Sequence, residues 1–479
     1  MIWFRIIWGL VLSGVLGYSF RRAWRWEHGM PNYSRSLSGK DRGTETFVLL
    51  PPTALFWILL VFLAIYVITL GIKDGGIRFA ALLIDVMLIL SIYYVLLLII
   101  LPLLRKRISA RACAVLWLVP AFLSWQAHIL MELVPLPVKT IFIPRGALPV
   151  IICIWLAGFI IVGGYYLFSH LTFCSYVKKH SSEENDAEIL AIWEQEQEVL
   201  DYKRHVRLLR GDVPAPFSMG RTKRSRCTVL PRREFTTAEL SMIFRHELHH
   251  LQRCDVDTKV FLCLCKALCW FNPLVWIAAK KAAQDLERSC DEIVTDGMNE
   301  GERKVYAHLL LDNAAPGRGC TTCLSAAAGT LRYRMKSIIE PQRRPLGTVL
   351  LMIALFTSVM CFGLISMCDA KGNFSSLVLS DDVKITKVYD SQTYEPVLCD
   401  TSGFREKLDE IELEHVAGLR EYADDKGSRR ITFSLSDGRY ATLTDKSLYI
   451  RDSHYVKRRV DCFLVKSEVD MDALFESMK

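Results

Sequence analysis

Several common features are missing from this chain of 479 residues, and each absence narrows the reading. No small-residue cleavage site follows the first apolar stretch. Arg21, Arg22 and Arg25 come instead, which argues for a retained helix rather than a removed signal peptide. Cys320 and Cys323 form a lone C-x-x-C without a matching second pair, so a zinc ribbon is not indicated. The formal net charge is only +8, and lysines and arginines beside apolar runs account for it through anionic lipid, so direct nucleic-acid binding is not expected.

What the chain has in excess is apolar sequence: 51% hydrophobic residues and a mean hydropathy of +0.23, above the usual soluble range. A bilayer core demands about 20 apolar residues per helix. Six segments qualify, at about 2–20, 48–72, 79–104, 112–135, 147–170 and 346–368. The fourth, which contains Trp125, His128 and Glu132, is the weakest and could be re-entrant or interfacial. Basic residues follow the first, third and fifth segments (Arg21 to Arg42, Arg105 to Arg111, and from Lys178), alternating with less basic loops at 73–78 and 132–145. One topology satisfies this pattern: both termini outside, six spans, and 171–345 in the cytoplasm. The expected units are a transmembrane region over 1–170, a cytoplasmic domain over 171–345, a last span over 346–368 and an outer domain over 369–479.

Most cysteines then lie where thiols stay reduced. Cys254, Cys263, Cys265, Cys269 and Cys290 read as small packing residues. Outside, Cys399 and Cys462 could pair, leaving Cys368 at the membrane edge.

The cytoplasmic segment carries His246-Glu247-Leu248-His249-His250, an H-E-x-x-H motif. Histidines four apart project from one helix face and can grip one metal ion, while Glu247 is placed to take a proton from a metal-bound water. Leu240, Ile243, Phe244, Leu248 and Leu251 recur at helical spacing, so the motif sits in an amphipathic helix. A zinc site needs a third ligand and an open position. Glu287 is the best candidate, with Asp291 four residues on to accept the outer ring N–H of a ligand histidine. An acidic solvated face is the plain alternative for 285–292. His249 reads as a polar neighbour on the helix flank, and Tyr306 and His308 are the candidates for stabilising the oxyanion.

Elsewhere, 181–203 reads as an amphipathic helix, and 206–209 and 226–231 as short strands suited either to seating an extended substrate or to a plain hairpin. Val260 to Ala279, with Pro273 inside it, reads as a helix pair or membrane-abutting element. The Gly-, Pro- and Ser-rich stretch from Ala314 is equally a self-cleavage site or an inert linker. In the outer domain, runs at 431–436 and 439–444 flank Asp437-Gly438 as a β-hairpin, and 404–413 and 471–478 read as helices.

Taken together, Pro216 to Gly220, Val229 to Pro231, His246 to His250, Gln252 to Asp255, Trp270 to Trp276, Glu287 to Glu292 and Tyr306 resemble the BlaR/MecR-type antirepressors, bacterial integral-membrane zinc metallopeptidases. The resemblance covers about 200–370. It implies an α-helical polytopic membrane protein with a zincin-like (gluzincin) α+β protease domain in the cytoplasm and a small extracellular α+β domain. It also implies Zn2+ held by His246, His250 and Glu287, Glu247 as base, and a cytoplasmic winged-helix repressor as the substrate cut when an extracellular ligand acts. Regulation would be of the antibiotic-resistance kind, and a homodimer is compatible.

One departure matters. The best-known members carry a penicillin-binding sensor with S-x-x-K and K-T-G motifs. Residues 370–479 are too few and contain neither; the chain's S-x-x-K, Ser175 to Lys178, falls on the cytoplasmic side. β-Lactam acylation is therefore not indicated, and the outer domain either senses something else or modulates the protease without a covalent ligand. Two rival readings are a membrane quality-control zinc protease and a non-catalytic receptor with a structural zinc site.

Overall fold

A computed structural model describes residues 2–28, 52–123, 139–222, 224–313, 322–323, 328–339, 344–379, 383–390, 396–397, 401–416, 430–452 and 460–476. Trp125, His128, Glu132, Cys320 and Cys399 lie outside them.

The apolar runs form helices α1 (Ile2–Glu27), α2 (Ala54–Leu104), α3 (Ala110–Leu116) and α4 (Leu148–His180). Helix α2 is two helices in one: Gly71, at φ 81° and ψ 171°, breaks it, and the chain turns back so tightly that a Cβ on Gly75 would strike the Tyr66 carbonyl. Among the described residues, three helices are long and apolar enough to cross a membrane, namely 2–27, 75–104 and 148–180, while 54–69 and 348–361 are shorter. The described residues bear on two of the expected segments. The last span was expected over 346–368, but its helix α11 covers Thr348–Cys361, because Ile365 onward is drawn into a sheet. Of the fourth, expected over 112–135 as a span or a re-entrant or interfacial element, residues 110–123 pack as buried helical turns around Trp117, and 124–135 lie outside the described residues.

Helices α1 and α11 run antiparallel. Gly9 lies on Phe356 and Val359, Gly17 on Met352 and Thr348, and Arg5 donates to the carbonyls of Val359 and Phe362 at the α11 C-terminus. The helix cluster thus has two ends, each carrying a different unit.

At one end is a nine-stranded sheet among the described residues: β1 (Lys139–Phe142), β7 (Ile365–Gly372), β8 (Ile385–Asp390), β9 (Pro396–Val397), β10 (Leu413–Val416), β11 (Ile431–Leu435), β12 (Arg439–Leu443), β13 (Ser447–Asp452) and β14 (Val460–Val465). The strand order is β1-β7-β10-β14-β13-β12-β11-β8-β9. The β11–β12 hairpin turns at Gly438, whose φ of 85° favours glycine. Three short helices, α12 (Phe374–Leu377), α13 (Thr401–Asp409) and α14 (Met471–Glu476), pack on it around Phe374, Phe404 and Phe433. The helix expected at 404–413 therefore starts earlier and ends before β10. Strand β1 comes from the segment just before α4, yet it pairs in parallel with β7. Cys462 is a buried free thiol.

At the other end stands a five-stranded sheet, β2-β3-β5-β4-β6, packed with helices. Its strands are β2 (Ser181–Glu183), β3 (Arg207–Gly211), β4 (Phe217–Met219), β5 (Cys227–Pro231) and β6 (Thr322–Cys323). The two strands read from sequence, β3 and β5, pair in parallel rather than as a hairpin, with β4 returning antiparallel on the far side of β5. The helices are α5 (Ala187–Val199), α6 (Thr237–Gln252), α7 (Asp255–Leu268), α8 (Pro273–Val294), α9 (Glu300–Asp312) and α10 (Ala328–Ile339). As expected of 260–279, α7 and α8 are a helix pair, with Asn272 capping α8 and Pro273 in its first turn. Between them Trp270 lies flat against Gly158 of α4 and donates to the Trp155 carbonyl.

Candidate metal centre

Helix α6 begins in a capping box, Thr236 with Glu239, and buries Leu240, Ile243, Phe244, Leu248 and Leu251 against Trp193 of α5 and Leu309 and Leu310 of α9. That face fixes the rotation of the helix, and the adjacent stripe presents His246 and His250. Helix α8 crosses it and brings Glu287 in. The three side chains converge with no exposure above 8%. His246 Nε2 and His250 Nε2 are 3.1 Å apart, and each is 3.6 Å from Glu287 Oε2.

These distances suit a cation. A tetrahedral zinc with bonds of about 2.0–2.1 Å places its ligand atoms roughly 3.3 Å apart. Two neutral imidazole lone pairs face to face repel unless a positive charge lies between them. Glu287 Oε2 is buried without a hydrogen-bond partner and aims at the same point. Burial depresses the His246 imidazole to about 4, keeping it in the neutral form that metal ligation requires.

Each histidine is held from behind. His250 Nδ1 lies 2.7 Å from Asp255 Oδ2, and the same oxygen accepts from Arg253 at 3.0 Å. Arg253 in turn donates to Ser289 of α8 at 2.6 Å, tying the motif helix to the helix that bears Glu287. The turn that allows this is abrupt: Cys254, at φ 53°, sits in the left-handed region and folds Asp255 back onto His250. Burial works against the charge on Asp255, but Arg253 and His250 outweigh it and hold the carboxyl at about 2. The sequence reading did not assign Asp255 this part; its place five residues past His250 is the only signal available.

Asp291 was expected to hold a histidine directly. Instead Tyr306 of α9 intervenes: its hydroxyl is 2.9 Å from His246 Nδ1 and donates to Asp291 Oδ1 at 2.8 Å, whereas Asp291 lies 3.7 Å from the ring. Arg334 of α10 grips both Asp291 oxygens, at 2.7 and 2.6 Å. Tyr306 is thus fully buried and occupied, which removes it as an oxyanion donor, and His308 points outward from α9. His249 is buried rather than on an open flank, with Nδ1 3.2 Å from Gln252.

Glu247 is fully buried, and burial lifts its carboxyl to about 7, with His250 and the Ser218 hydroxyl of β4 pulling less strongly the other way. A carboxyl poised near neutrality can both accept and return a proton. Lys259 of α7 pairs with Glu287 Oε1 at 3.1 Å. Strand β4 thus runs beside Glu247, and its outer edge takes β6, with Phe217 opposite Cys323 and Ser218 opposite Thr322.

Comparison with known proteins points the same way. Residues 134–338 match the family described as BlaR1 peptidase M56. The regulatory protein BlaR1 of Bacillus licheniformis is 27% identical over 184 residues, which is 38% of this chain and 30% of that protein. The chain thus matches under a third of the length of this relative. The matched region contains α6, α8 and the buried triangle, so residues 134–338 are similar to the peptidase domain of the BlaR1-type M56 membrane metallopeptidases.

Proposed function

We propose that the chain is a zinc metalloendopeptidase in which His246, His250 and Glu287 hold Zn2+ and Glu247 is the general base. The observation that carries this is the buried triangle of two Nε2 atoms and one carboxylate oxygen, with Glu247 beside it. A zinc ion there supplies a Lewis acid that lowers the pKa of water toward neutrality. Glu247 takes the proton as water attacks the peptide carbonyl, and returns it to the departing amide nitrogen. Asp255, and Tyr306 backed by Asp291, keep the two rings in the tautomer with Nδ1 protonated and Nε2 free to ligate.

The substrate is an extended peptide. The chain's own segment 322–323 already adds to the edge of β4, next to Ser218 and Glu247, which supports strand addition as the mode of seating. The same pairing favours self-cleavage in the surrounding segment over an inert linker. The physiological substrate in this reading is a winged-helix repressor on the cytoplasmic side of a bacterial membrane, cut in response to an extracellular ligand. The name of the BlaR1 relative, a regulatory protein, supports a signalling role. The separation of the two units at opposite ends of the helix cluster supports an outer sheet and an inner protease. Replacing Glu247 with Ala tests the proposal in cells: repressor cleavage and induction should both stop, and induction that survives without cleavage would favour a non-catalytic receptor.

A further inference from the structure

Helix α8 presents Glu287 and Asp291 on one side, and something must hold the other. That side carries Asp285 and Glu292, seven residues apart and therefore stacked on one face, roughly opposite Glu287. Asp285 is fully buried. Its carboxylate takes a two-point grip from Arg105, Nε to Oδ1 at 2.9 Å and an NH2 group to Oδ2 at 2.7 Å. The Trp117 indole N–H adds a third bond at 2.9 Å. Seven residues along, Glu292 accepts from the Ala110 backbone N–H at 2.7 Å. All of these donors lie in 105–117, the short segment that follows α2. Arg105 is itself the C-terminal cap of α2, its N–H bonded to the Leu101 carbonyl.

The same segment is fastened to other membrane helices. Arg111 pairs with Glu27 at the end of α1, and Ser109 bonds the Pro345 and Leu346 carbonyls just before α11. Lipid attraction does not describe Arg105 and Arg111, which are turned inward onto carboxylates. We infer that Arg105 is a positioning residue for Glu287: through Asp285 it locks the rotation and height of α8, so the third ligand is set by where the end of α2 sits. A bidentate guanidinium fixes a carboxylate in plane and direction, which a lysine point charge does not. This rests on the zinc reading above, and it assigns to a named contact the mechanical link between the membrane helices and the metal centre.

The test uses the purified full chain in detergent and Zn2+ itself as the probe, with retention measured against a competing chelator. Arg105→Ala should lose zinc affinity by about tenfold or more, the scale of losing an outer partner of a ligand. Arg105→Lys should recover part of it. Trp117→Phe, which removes one donor and keeps the ring, should show a smaller loss with an unchanged helical spectrum and thermal midpoint. That graded order, in chains that remain folded, supports the inference. Equal zinc affinity in all folded variants overturns it while leaving the zinc reading intact. A wild-type chain that holds no more zinc than a His246→Ala, His250→Ala double variant overturns both.

Discussion

The Tyr306 hydroxyl lies 2.9 Å from His246 Nδ1, in the position where the sequence reading expected a carboxylate. Asp291 stands behind that phenol, hydrogen-bonded to it and 3.7 Å from the ring. Removing the hydroxyl leaves the His246 ring N–H without its acceptor in a fully buried place, while Asp291 keeps Arg334. Tyr306→Phe should cost about 1–3 kcal/mol of stability and about 10–100-fold in zinc affinity. Denaturant unfolding of the chain and chelator competition read the two effects separately.

Asp255 serves two donors at once, the His250 ring N–H and the Arg253 guanidinium. With Asp255→Ala the Arg253 charge stays buried without its carboxylate, a loss of about 3–5 kcal/mol. The drop should exceed that of Tyr306→Phe, which strands no charge, and side-by-side unfolding curves check the order.

The outer sheet has its own ionic knot. Asp369 of β7 bonds His415 of β10, and Arg145, just before α4, donates to the same aspartate at 2.7 Å. Burial opposes both charges, but the partners win. Asp369 is held below its ordinary 3.8 by His415 and Arg145, and His415 above its ordinary 6.5 by Asp369 and Asp461. A depressed carboxyl contributes stability above 3.8 that is lost as pH falls through its folded value. A raised imidazole contributes stability fully below 6.5 that is lost as pH rises through its folded value. The contribution should therefore peak between these two values. Thermal unfolding followed across pH should show this peak in the wild type and lose its alkaline limb in His415→Phe.

Strand β6 occupies the edge where a substrate would add. Proline at both Thr322 and Cys323 removes the N–H donors of that strand. The variant should cleave a peptide supplied in trans severalfold faster than the wild type. An unchanged rate would mean that β6 does not compete for the edge.

That His246 and His250 share a face was legible in the sequence because helical periodicity determines it, whereas Glu287 stands on another helix and only packing brings it to them. The supports of the two histidines were less legible. Asp255 depends on a left-handed turn at Cys254, a residue type that gives no warning of it. Tyr306 and Arg334 come from helices 60 and 88 residues beyond His246, and only tertiary packing brings them together. Apolar length gave the 2–27, 75–104 and 148–180 helices well, but it overran the end of α11. A segment buried inside protein is as apolar as one facing lipid, and a strand such as β7 can claim residues that composition assigns to a span. The parallel pairing of β1 with β7 was invisible for the same reason, since the partners lie more than 200 residues apart.

Holding metal and moving a proton fall to different residues of the site, and Glu247→Gln divides the two. The purified full chain and this variant should be compared for zinc content and for cleavage of a purified winged-helix repressor. One zinc per chain is expected in both and cleavage only in the wild type, because the glutamine leaves His246, His250 and Glu287 intact but cannot accept the proton. Cleavage by the variant at the wild-type rate would contradict the role of Glu247 as base.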